Sequence, residues 1–321
     1  MLSLCHSPEL RADEVRKCLR GAPARRRFVI LDTVGRPRRP LSVVCLALAS
    51  CLLLTPAAEG APVIAAAGDI AHGGTPSRPQ RRTARLVRSI DPKVVLALGD
   101  EQYPEGALDD FRNSYDPTWG RFKAITRPVP GNHEYLTGGA DGYFDYFGRR
   151  AHRRRGGYYS FNVGTWHLVA VNSGRGEISD EQLAWVRRDL GRNDARCDLA
   201  FWHHPRWSSA GSGSDGDMAA LWQVLSQQGV DVVLNGHHHV YERFAPLSPT
   251  GRVRPRRGMR EFVVGTGGAE LGNFGHAIRG SQKRITTFGV LRLRLRRGGY
   301  RWAFVATNGN VRDRGRHGCH V

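Results

Sequence analysis

Lysine is scarce in this sequence. Only four of its 48 basic residues are lysine (Lys17, Lys93, Lys123 and Lys283), and the others are arginine, against 29 acidic residues. The net charge of +19 favours an anionic substrate, a nucleic acid or an anionic surface, but charge alone does not choose among these partners. Because genome composition can produce such an arginine bias, no single arginine indicates a site.

Long apolar runs are also lacking. The stretch Leu41–Leu54 is short for a membrane span, follows basic residues and precedes small ones, which is typical of a secretory signal peptide. The sequence therefore predicts a cleaved leader over residues 1–61 and a secreted, extracytoplasmic protein. Two further interpretations stay open: a lipoprotein signal that would leave Cys51 lipidated, and a translation start at Val34, which would give a leader of ordinary length.

Cysteines are few beyond the leader. Only Cys197 and Cys319 follow residue 61, which excludes a small scaffold held together by many disulfides. Two cysteines in an exported chain predict one disulfide, which would join the C-terminal tail to a strand near residue 200. A pair of unlinked thiols is the alternative.

Short apolar runs alternate with segments of helical spacing from residue 61 onward. Strands are predicted over 61–69, 93–100, 198–205 and 230–236, and helices over 81–90, 179–192 and 217–229. A further strand ends in RPVPGNHE (127–134), and YYSFNV (158–163) and WHLVAVNS (166–173) indicate a hairpin around Gly164. Later residues alternate apolar with polar and turn at Gly298-Gly299, which indicates an antiparallel hairpin with one exposed face. The pattern predicts an α/β fold in which residues 62–321 form one domain.

Polar residues of similar chemistry follow five of the apolar runs. They are Asp69; Asp100 with Tyr103; Asn132, His133 and Glu134; His203 and His204; and His237, His238 and His239. An isolated Gly-Asp is ordinarily a turn, but ligands bind at the carboxyl ends of strands in α/β sheets. Five such groups in order therefore indicate one site, whose mixed oxygen and nitrogen donors suit zinc, iron or manganese. The donors are too many for one metal and about enough for two.

The motifs GDIA, GDEQY, GNHE, WHHP and GHHH resemble those of the calcineurin-like metallophosphoesterase superfamily over most of residues 62–240. Many members carry a histidine two positions after the first aspartate, where this chain has Ala71. Tyr103, three positions after Asp100, resembles instead the purple acid phosphatase-like branch. The resemblance implies a four-layer αββα fold, with two mixed β-sheets packed together and flanked by helices.

The resemblance also implies two metal ions bridged by Asp100. The first metal would be held by Asp69, Asp100, Tyr103 and His239. The second metal would be held by Asp100, Asn132, His203 and His237. Since a phenolate and carboxylates stabilise a trivalent ion, Fe(III) is expected at the first metal site. Zinc, iron or manganese is expected at the second. His72 is an alternative, unorthodox ligand.

The remaining polar residues receive other roles. His133 and His204 are the predicted catalytic residues, which would contact the phosphoryl group or protonate the leaving oxygen. His204 could alternatively support a ligand or end a strand. Glu134 would orient His133 or lie in solvent, and His238 is expected to point away from the metals.

Together these features predict a secreted phosphatase that hydrolyses phosphate monoesters of small molecules through a metal-bound hydroxide. A phosphodiesterase or nucleotidase with the same metals is the first alternative. A metal- or phosphate-binding protein without turnover, and a basic nucleic-acid or cell-surface binder, are the others. We expect no specific nucleic-acid partner, since the basic run at 149–155 is typical of a solvated loop, and no membrane contact after cleavage of the leader.

Overall fold

Two β-sheets form the centre of the fold. The computed structural model describes residues 60–320, so all but the last two residues of the predicted leader (1–61) lie outside the described residues, and the leader stays a prediction. The first sheet has the strand order β13-β12-β11-β1-β2-β3, and the second has the order β10-β8-β9-β7-β6-β5-β4. The strands are β1 Val63–Ala67, β2 Val94–Ala97, β3 Thr126–Pro128, β4 Tyr159–Val163, β5 Trp166–Ala170, β6 Cys197–Phe201, β7 Val232–Asn235, β8 Tyr241–Phe244, β9 Arg260–Val264, β10 Ser281–Ile285, β11 Gly289–Arg296, β12 Gly299–Ala306 and β13 Val311–Gly318.

Helices pack against the outer sides of both sheets, although among the described residues β12 and β13 of the first sheet remain uncovered. The α-helices are α1 Arg78–Ile90, α2 Leu108–Asp110, α3 Asp141–Phe147, α4 Asp180–Leu190 and α5 Ala219–Gln227. Short 3-10 and π turns, such as Trp119–Ile125, complete the connections. Among residues 60–320 the structure contains no helix that is both long and apolar enough to cross a membrane.

The strands that lead to the predicted site are buried on both faces. In the first sheet, β1 (VIAAA) and β2 (VVLA) are parallel and apolar throughout, as expected for strands covered on both sides. Helix α1 packs against β1 and β11. It begins with a capping box in which the Ser77 hydroxyl accepts a hydrogen bond from Gln80 N at 3.3 Å.

The second sheet has a separate apolar layer on its outer face. Val169, Ala200 and Val233, from β5, β6 and β7, pack with Val186 of α4 and Trp222 of α5. Helix α4 begins after Ser179, whose hydroxyl accepts from Gln182 N. The predicted α/β fold with two mixed sheets between helices is confirmed. Strands β8, β10 and β13 were not predicted.

The predicted disulfide is present between Cys197 and Cys319. Their Cα atoms lie 5.6 Å apart, and the bond links β6 to the segment that follows β13. It therefore fastens the edge of the first sheet to the second sheet.

Replacing both cysteines by serine is expected to lower the free energy of unfolding by about 2–5 kcal/mol, the usual cost of losing a native disulfide. The bond joins residues 122 positions apart, so its loss releases a long loop in the unfolded chain. Urea unfolding of the variant and of the unchanged protein measures the difference. An unchanged midpoint would contradict the prediction, and the reduced unchanged protein serves as the control.

Candidate metal centre

The carboxyl ends of five parallel strands from both sheets meet at one edge of the fold. Asp69 follows β1, Asp100 follows β2 and Asn132 follows β3 in the first sheet, while His203 follows β6 and His237 follows β7 in the second. All seven predicted metal ligands belong to one hydrogen-bonded cluster at this edge: Asp69, Asp100, Tyr103, Asn132, His203, His237 and His239.

The backbone at these strand ends is tightly turned. Among the described residues, Asp69, Asp100 and His237 have positive φ angles of 58°, 48° and 68°, a conformation that costs energy in a non-glycine residue. Glycines precede them because the chains approach closely. A Cβ on Gly131 would lie 2.1 Å from Asp100 Oδ1, and one on Gly99 would lie 2.5 Å from His203 Nδ1. The Gly in each motif is therefore a packing requirement of the site.

Tyr103 lies at the centre of one half of the cluster. Its hydroxyl oxygen is 2.9 Å from Asp69 Oδ1, 3.0 Å from Asp100 Oδ2 and 2.9 Å from His239 Nε2. A phenol has one proton to donate, so it cannot satisfy all three neighbours. Four electron-rich groups thus converge on a small volume, which is the arrangement that a bound cation satisfies.

His203, Asn132 and His237 form the other half. Asn132 Oδ1 lies 3.2 Å from His203 Nε2 and 3.0 Å from His237 Nδ1. His203 Nε2 is also 3.2 Å from Asp100 Oδ2. Asp100 Oδ2 is therefore the atom that the two halves share.

Backbone carbonyls fix the tautomers of two histidines. His203 Nδ1 lies 2.8 Å from Leu98 O, and His239 Nδ1 contacts Glu270 O. Because a carbonyl can only accept, each Nδ1 carries a proton, which leaves Nε2 as the ring nitrogen that would ligate a metal. This is how metal-ligating histidines are commonly oriented, so the residues present fit a metal centre.

Burial and charge set the protonation of the cluster. Burial, aided by the charge of His203, lowers the pKa of His237 to about 3, so it is neutral and able to ligate. Burial opposes a charge on His203, but the Asp100 carboxylate outweighs it and raises the pKa of His203 to about 9. Burial, together with Asp69 and Asp100, holds the pKa of Tyr103 well above its usual range. Ionisation of the phenol at this position therefore calls for a neighbouring cation.

Glu134 corrects both sequence-based interpretations of its role. It is fully buried and its carboxylate accepts three backbone N–H groups, from Asp100 at 2.9 Å, Gln102 at 3.1 Å and Gly131 at 2.7 Å. Its carboxylate therefore neither orients the His133 ring nor lies in solvent. It holds the loops after β2 and β3 against each other, because their amides have no other partner there.

The two predicted catalytic histidines lie beside the cluster. The His133 side chain is 32 % exposed, and its Nε2 is 4.0 Å from Asp100 Oδ2. His204 is buried, with its ring 4.4 Å from that of His237. Burial and the neighbouring charge of His203 lower the pKa of His204 to about 2, so its ring is neutral. Both positions allow contact with a group bound at the cluster.

Two other histidines do not join the cluster through hydrogen bonds. His72 is exposed and stacks on the Tyr103 ring at 5.3 Å. His238 is buried, and its Nδ1 lies 2.6 Å from the Ser208 hydroxyl. The three consecutive histidines of GHHH therefore contact different groups.

Sequence reasoning missed the groups that hold the ligands in place. Ser173 lies 3.0 Å from His204 Nδ1, and Glu270 supplies the carbonyl that contacts His239. Ser173 ends the predicted run WHLVAVNS, so its position after a strand was a usable signal. Glu270 lies in a glycine-rich segment without such a signal.

This α/β fold, with carboxylates, histidines and a tyrosine clustered at the carboxyl ends of its strands, defines a class of metal-binding α/β proteins. The chain belongs to the calcineurin-like phosphoesterase family, whose model matches residues 59–241.

The curated relatives include plant purple acid phosphatases. Purple acid phosphatase 15 of Arabidopsis thaliana is 29% identical over 220 residues, which cover 55% of this chain and 40% of that protein. An uncharacterized protein of Mycobacterium tuberculosis is 30% identical over 196 residues, or 50% of this chain and 36% of that one. The chain thus spans less than half the length of these relatives. The predicted purple acid phosphatase-like branch is confirmed.

A solved structure shares the fold. A purple acid phosphatase from yellow lupin (Lupinus luteus) seeds superposes with a TM-score of 0.68 at 19% identity, covering 81% of this chain and 54% of that one. The structural likeness extends beyond the matched motifs to most of the described residues.

Proposed function

We propose that this chain is a secreted phosphatase that hydrolyses phosphate monoesters at a dinuclear metal centre. The leader would occupy residues 1–61 and the catalytic domain residues 62–321. The observation that carries the proposal is the position of Asp100 Oδ2, 3.0 Å from the Tyr103 hydroxyl and 3.2 Å from His203 Nε2. A carboxylate oxygen shared by two sets of ligands suits a bridge between two cations.

The two metal positions follow from the two halves of the cluster. Asp69, Asp100, Tyr103 and His239 would hold the first metal, with Fe(III) favoured by the phenol. Asp100, Asn132, His203 and His237 would hold zinc, iron or manganese. When bound, the metals supply Lewis-acid charge that activates water and stabilises phosphoryl oxygens.

His133 is suited to protonate the leaving oxygen. Its Nδ1 lies 2.6 Å from Pro104 O and therefore carries a proton, so a second proton can reside only on Nε2. Nε2 faces the cluster, within 4.0 Å of Asp100 Oδ2. A histidine that holds its mobile proton at the substrate side is positioned for general acid catalysis.

His204 is suited to bind a phosphoryl oxygen. The Ser173 hydroxyl oxygen accepts a hydrogen bond from the backbone N–H of His204 at 3.1 Å, and its own proton can be donated to His204 Nδ1 at 3.0 Å. The neutral ring then carries its proton on Nε2. This N–H would donate to an oxygen on which negative charge develops in the transition state.

A nucleotidase or phosphodiesterase is the second candidate, and a neighbouring cavity favours it. A cavity of about 540 Å³ is lined by Tyr135, Tyr158, Arg175 and other residues, and Tyr135 directly follows Glu134. The Arg175 guanidinium lies over the Tyr135 ring at 4.7 Å. An aromatic ring beside a cation would suit a base or a second anionic group.

The experiment that tests the proposal measures metals and substrate preference together. The purified protein is expected to contain two metal equivalents and to hydrolyse p-nitrophenyl phosphate faster than bis-p-nitrophenyl phosphate. A faster diester reaction would replace the main proposal by the second candidate. Two bound metals without turnover of either ester would support a binding protein.

Replacing Tyr103 by phenylalanine is expected to reduce the rate of hydrolysis by about 100-fold or more. Loss of a group that only orients a metal ligand costs up to about 100-fold, and Tyr103 is itself a proposed ligand. The variant should also lose the visible absorption of a Tyr–Fe(III) centre, because the phenolate is its electron donor. Absorption spectra and iron content of both proteins check this. A colourless but fully active, iron-loaded unchanged protein would remove Tyr103 from the ligand set.

The three consecutive histidines should respond unequally to alanine substitution. His237→Ala and His239→Ala are each expected to lower activity by about 100-fold or more. His238→Ala should keep most of the activity and lower stability by about 1–3 kcal/mol, since the buried Ser208 hydroxyl loses its bond to His238 Nδ1. Steady-state kinetics and thermal unfolding separate the two effects, and equal activity losses in all three variants would contradict the assignment.

A further inference from the structure

The first sheet carries a face of exposed arginines. Strands β11, β12 and β13 are antiparallel and eight residues long, and their outward positions are rich in arginine. We call this surface the arginine face; its members are Arg292, Arg294, Arg296, Arg301, Arg314 and Arg316, all exposed. The inward positions of β12, among them Tyr300 and Phe304, are buried.

The strand register aligns these arginines in rows. Arg294 is paired with Arg301, which is paired in turn with Arg316, so one row crosses all three strands. In the next row Arg292 and Arg314 flank the buried Ala303. Strands lie about 4.8 Å apart and alternate residues about 6.8 Å apart, so the guanidinium groups form a two-dimensional array.

Acidic residues do not neutralise this array. Residues 289–318 contain one carboxylate, Asp313, against eight arginines. Asp313 is buried on the other face, where it accepts from Tyr241 at 2.7 Å and pairs with Arg243 at 2.7 Å. The adjoining helix α1, which packs against β11, adds five arginines and no acidic residue. The basic surface therefore extends beyond the three strands.

Like charges placed directly opposite on neighbouring strands are destabilising. The row Arg294–Arg301–Arg316 contains two such pairs, and among the described residues its members form no ion pair. An anionic partner that covered the face would relieve this repulsion.

The arginine face lies away from the metal centre and beside the start of the domain. Arg294 pairs with Val63 at the beginning of β1, about 20 Å along the strand from Asp69. At the same end, Leu295 N donates to Pro62 O at 2.9 Å and Arg294 donates to Ala61 O at 3.3 Å. A partner that covered the row at Arg294 would thus lie at the far end of β1 from Asp69.

We propose that the arginine face docks on the surface of an anionic phospholipid bilayer and leaves the metal centre free to react. A planar array of guanidinium groups matches a planar array of lipid phosphates. A nucleic acid fits less well, because the outward positions of these strands offer no aromatic side chain for stacking and no amide side chain to read bases. The proposal departs from the expectation that the mature chain has no membrane contact.

The test uses the full chain and sedimentation with vesicles. Vesicles of phosphatidylcholine alone are compared with vesicles that also contain phosphatidylglycerol, since an apolar leader would bind both alike. At low salt, the partition coefficient of the triple variant Arg294→Gln/Arg301→Gln/Arg316→Gln for the anionic vesicles is expected to be about 100-fold lower than that of the unchanged protein. The triple lysine variant at the same positions keeps the charge and should keep binding.

A matched control removes the same net charge from the opposite side of the fold. Arg187, Arg188 and Arg192 are exposed on and after α4, outside the second sheet, and their triple glutamine variant should bind anionic vesicles like the unchanged protein. Equal loss in both glutamine variants, or no loss in either, would overturn the proposal. Tighter binding of a DNA duplex than of anionic vesicles through the same arginines would overturn it in favour of a nucleic acid. Hydrolysis of p-nitrophenyl phosphate should be equal in all variants, so failure of docking is separate from failure of the proposed activity.

Discussion

An Asp100→Asn variant is expected to lose about 1,000-fold or more of its phosphoester hydrolysis, the scale reached when charge stabilisation of a transition state is removed. Asparagine keeps the shape of the side chain but has no negative charge. In one orientation, the amide nitrogen of asparagine would place a donor beside the Tyr103 hydroxyl. In the other orientation, it would remove the acceptor of the bond from His133 N to Asp100 Oδ1, which is 2.9 Å long. Among the described residues, Asp100 is the carboxylate whose oxygen contacts the side chains of both Tyr103 and His203.

Metal analysis shows whether this loss arises as we expect. The variant should retain less than the two metal equivalents expected of the unchanged protein, and added metal should not restore the rate. Asp109→Asn is the matched control, because Asp109 is exposed and pairs only with the exposed Arg112. Near-normal activity of Asp100→Asn with two bound metals would refute the bridging role and the proposed function with it.

Each predicted ligand could be located from the sequence because its position depends on local features. Asp69, Asp100 and His237 each follow a glycine that follows an apolar strand, and the strand direction places their side chains at one edge. The prediction of one site needed only the order of strands and helices, whereas the choice of Tyr103, Asn132 and His239 as ligands came from the family resemblance. The strand register within each sheet was not required.

Groups that act across long sequence separations could not be located in this way. Glu134 bonds amides 34 and 32 residues earlier in the chain, and the carbonyl that orients His239 lies 31 residues later. The sequence places Glu134 directly after His133 and so suggests that their side chains interact. In the fold, the carboxylate of Glu134 instead accepts backbone N–H groups of the neighbouring loops.

The arginine face was hidden for a different reason. The alternation in LRLRLRR predicted an exposed face on β11, but β13 contains a single apolar residue, Val311, and gave no strand signal. Without β13 the row Arg294–Arg301–Arg316 does not exist. The charge of that face is a property of the register between strands.

Glu134 is expected to be as important to the site as a ligand, although it touches no substrate position. Its carboxylate takes the backbone N–H groups of Asp100, Gln102 and Gly131, and thereby fixes the loops that carry Asp100 and Asn132. Glu101 lies nearby and is also fully buried, but its Oε1 accepts a longer bond, 3.3 Å from Gly99 N, and its Oε2 has no hydrogen-bond partner among the described residues. Burial, followed by the charge of Glu134, raises the pKa of Glu101 well above its usual range. Burial, followed by the charge of Asp100, also raises the pKa of Glu134, to about 8.

The two buried glutamates therefore predict opposite results for the same substitution. Glu134→Ala should lower the free energy of unfolding by about 3 kcal/mol or more, since three buried amides lose their acceptor. Both carboxylate oxygens of Glu134 accept backbone N–H groups, so the amide nitrogen of a glutamine there must face one of these donors. Glu134→Gln should therefore displace the loops that carry Asp100 and Asn132 and weaken metal binding. Glu101→Gln should be mild, because the carboxyl group of Glu101 accepts only a longer bond from Gly99 N, which the amide oxygen of glutamine can accept equally well. Urea unfolding and metal titration compare all three variants, and equal behaviour of Glu134→Gln and Glu101→Gln would show that the three amide bonds do not position the site.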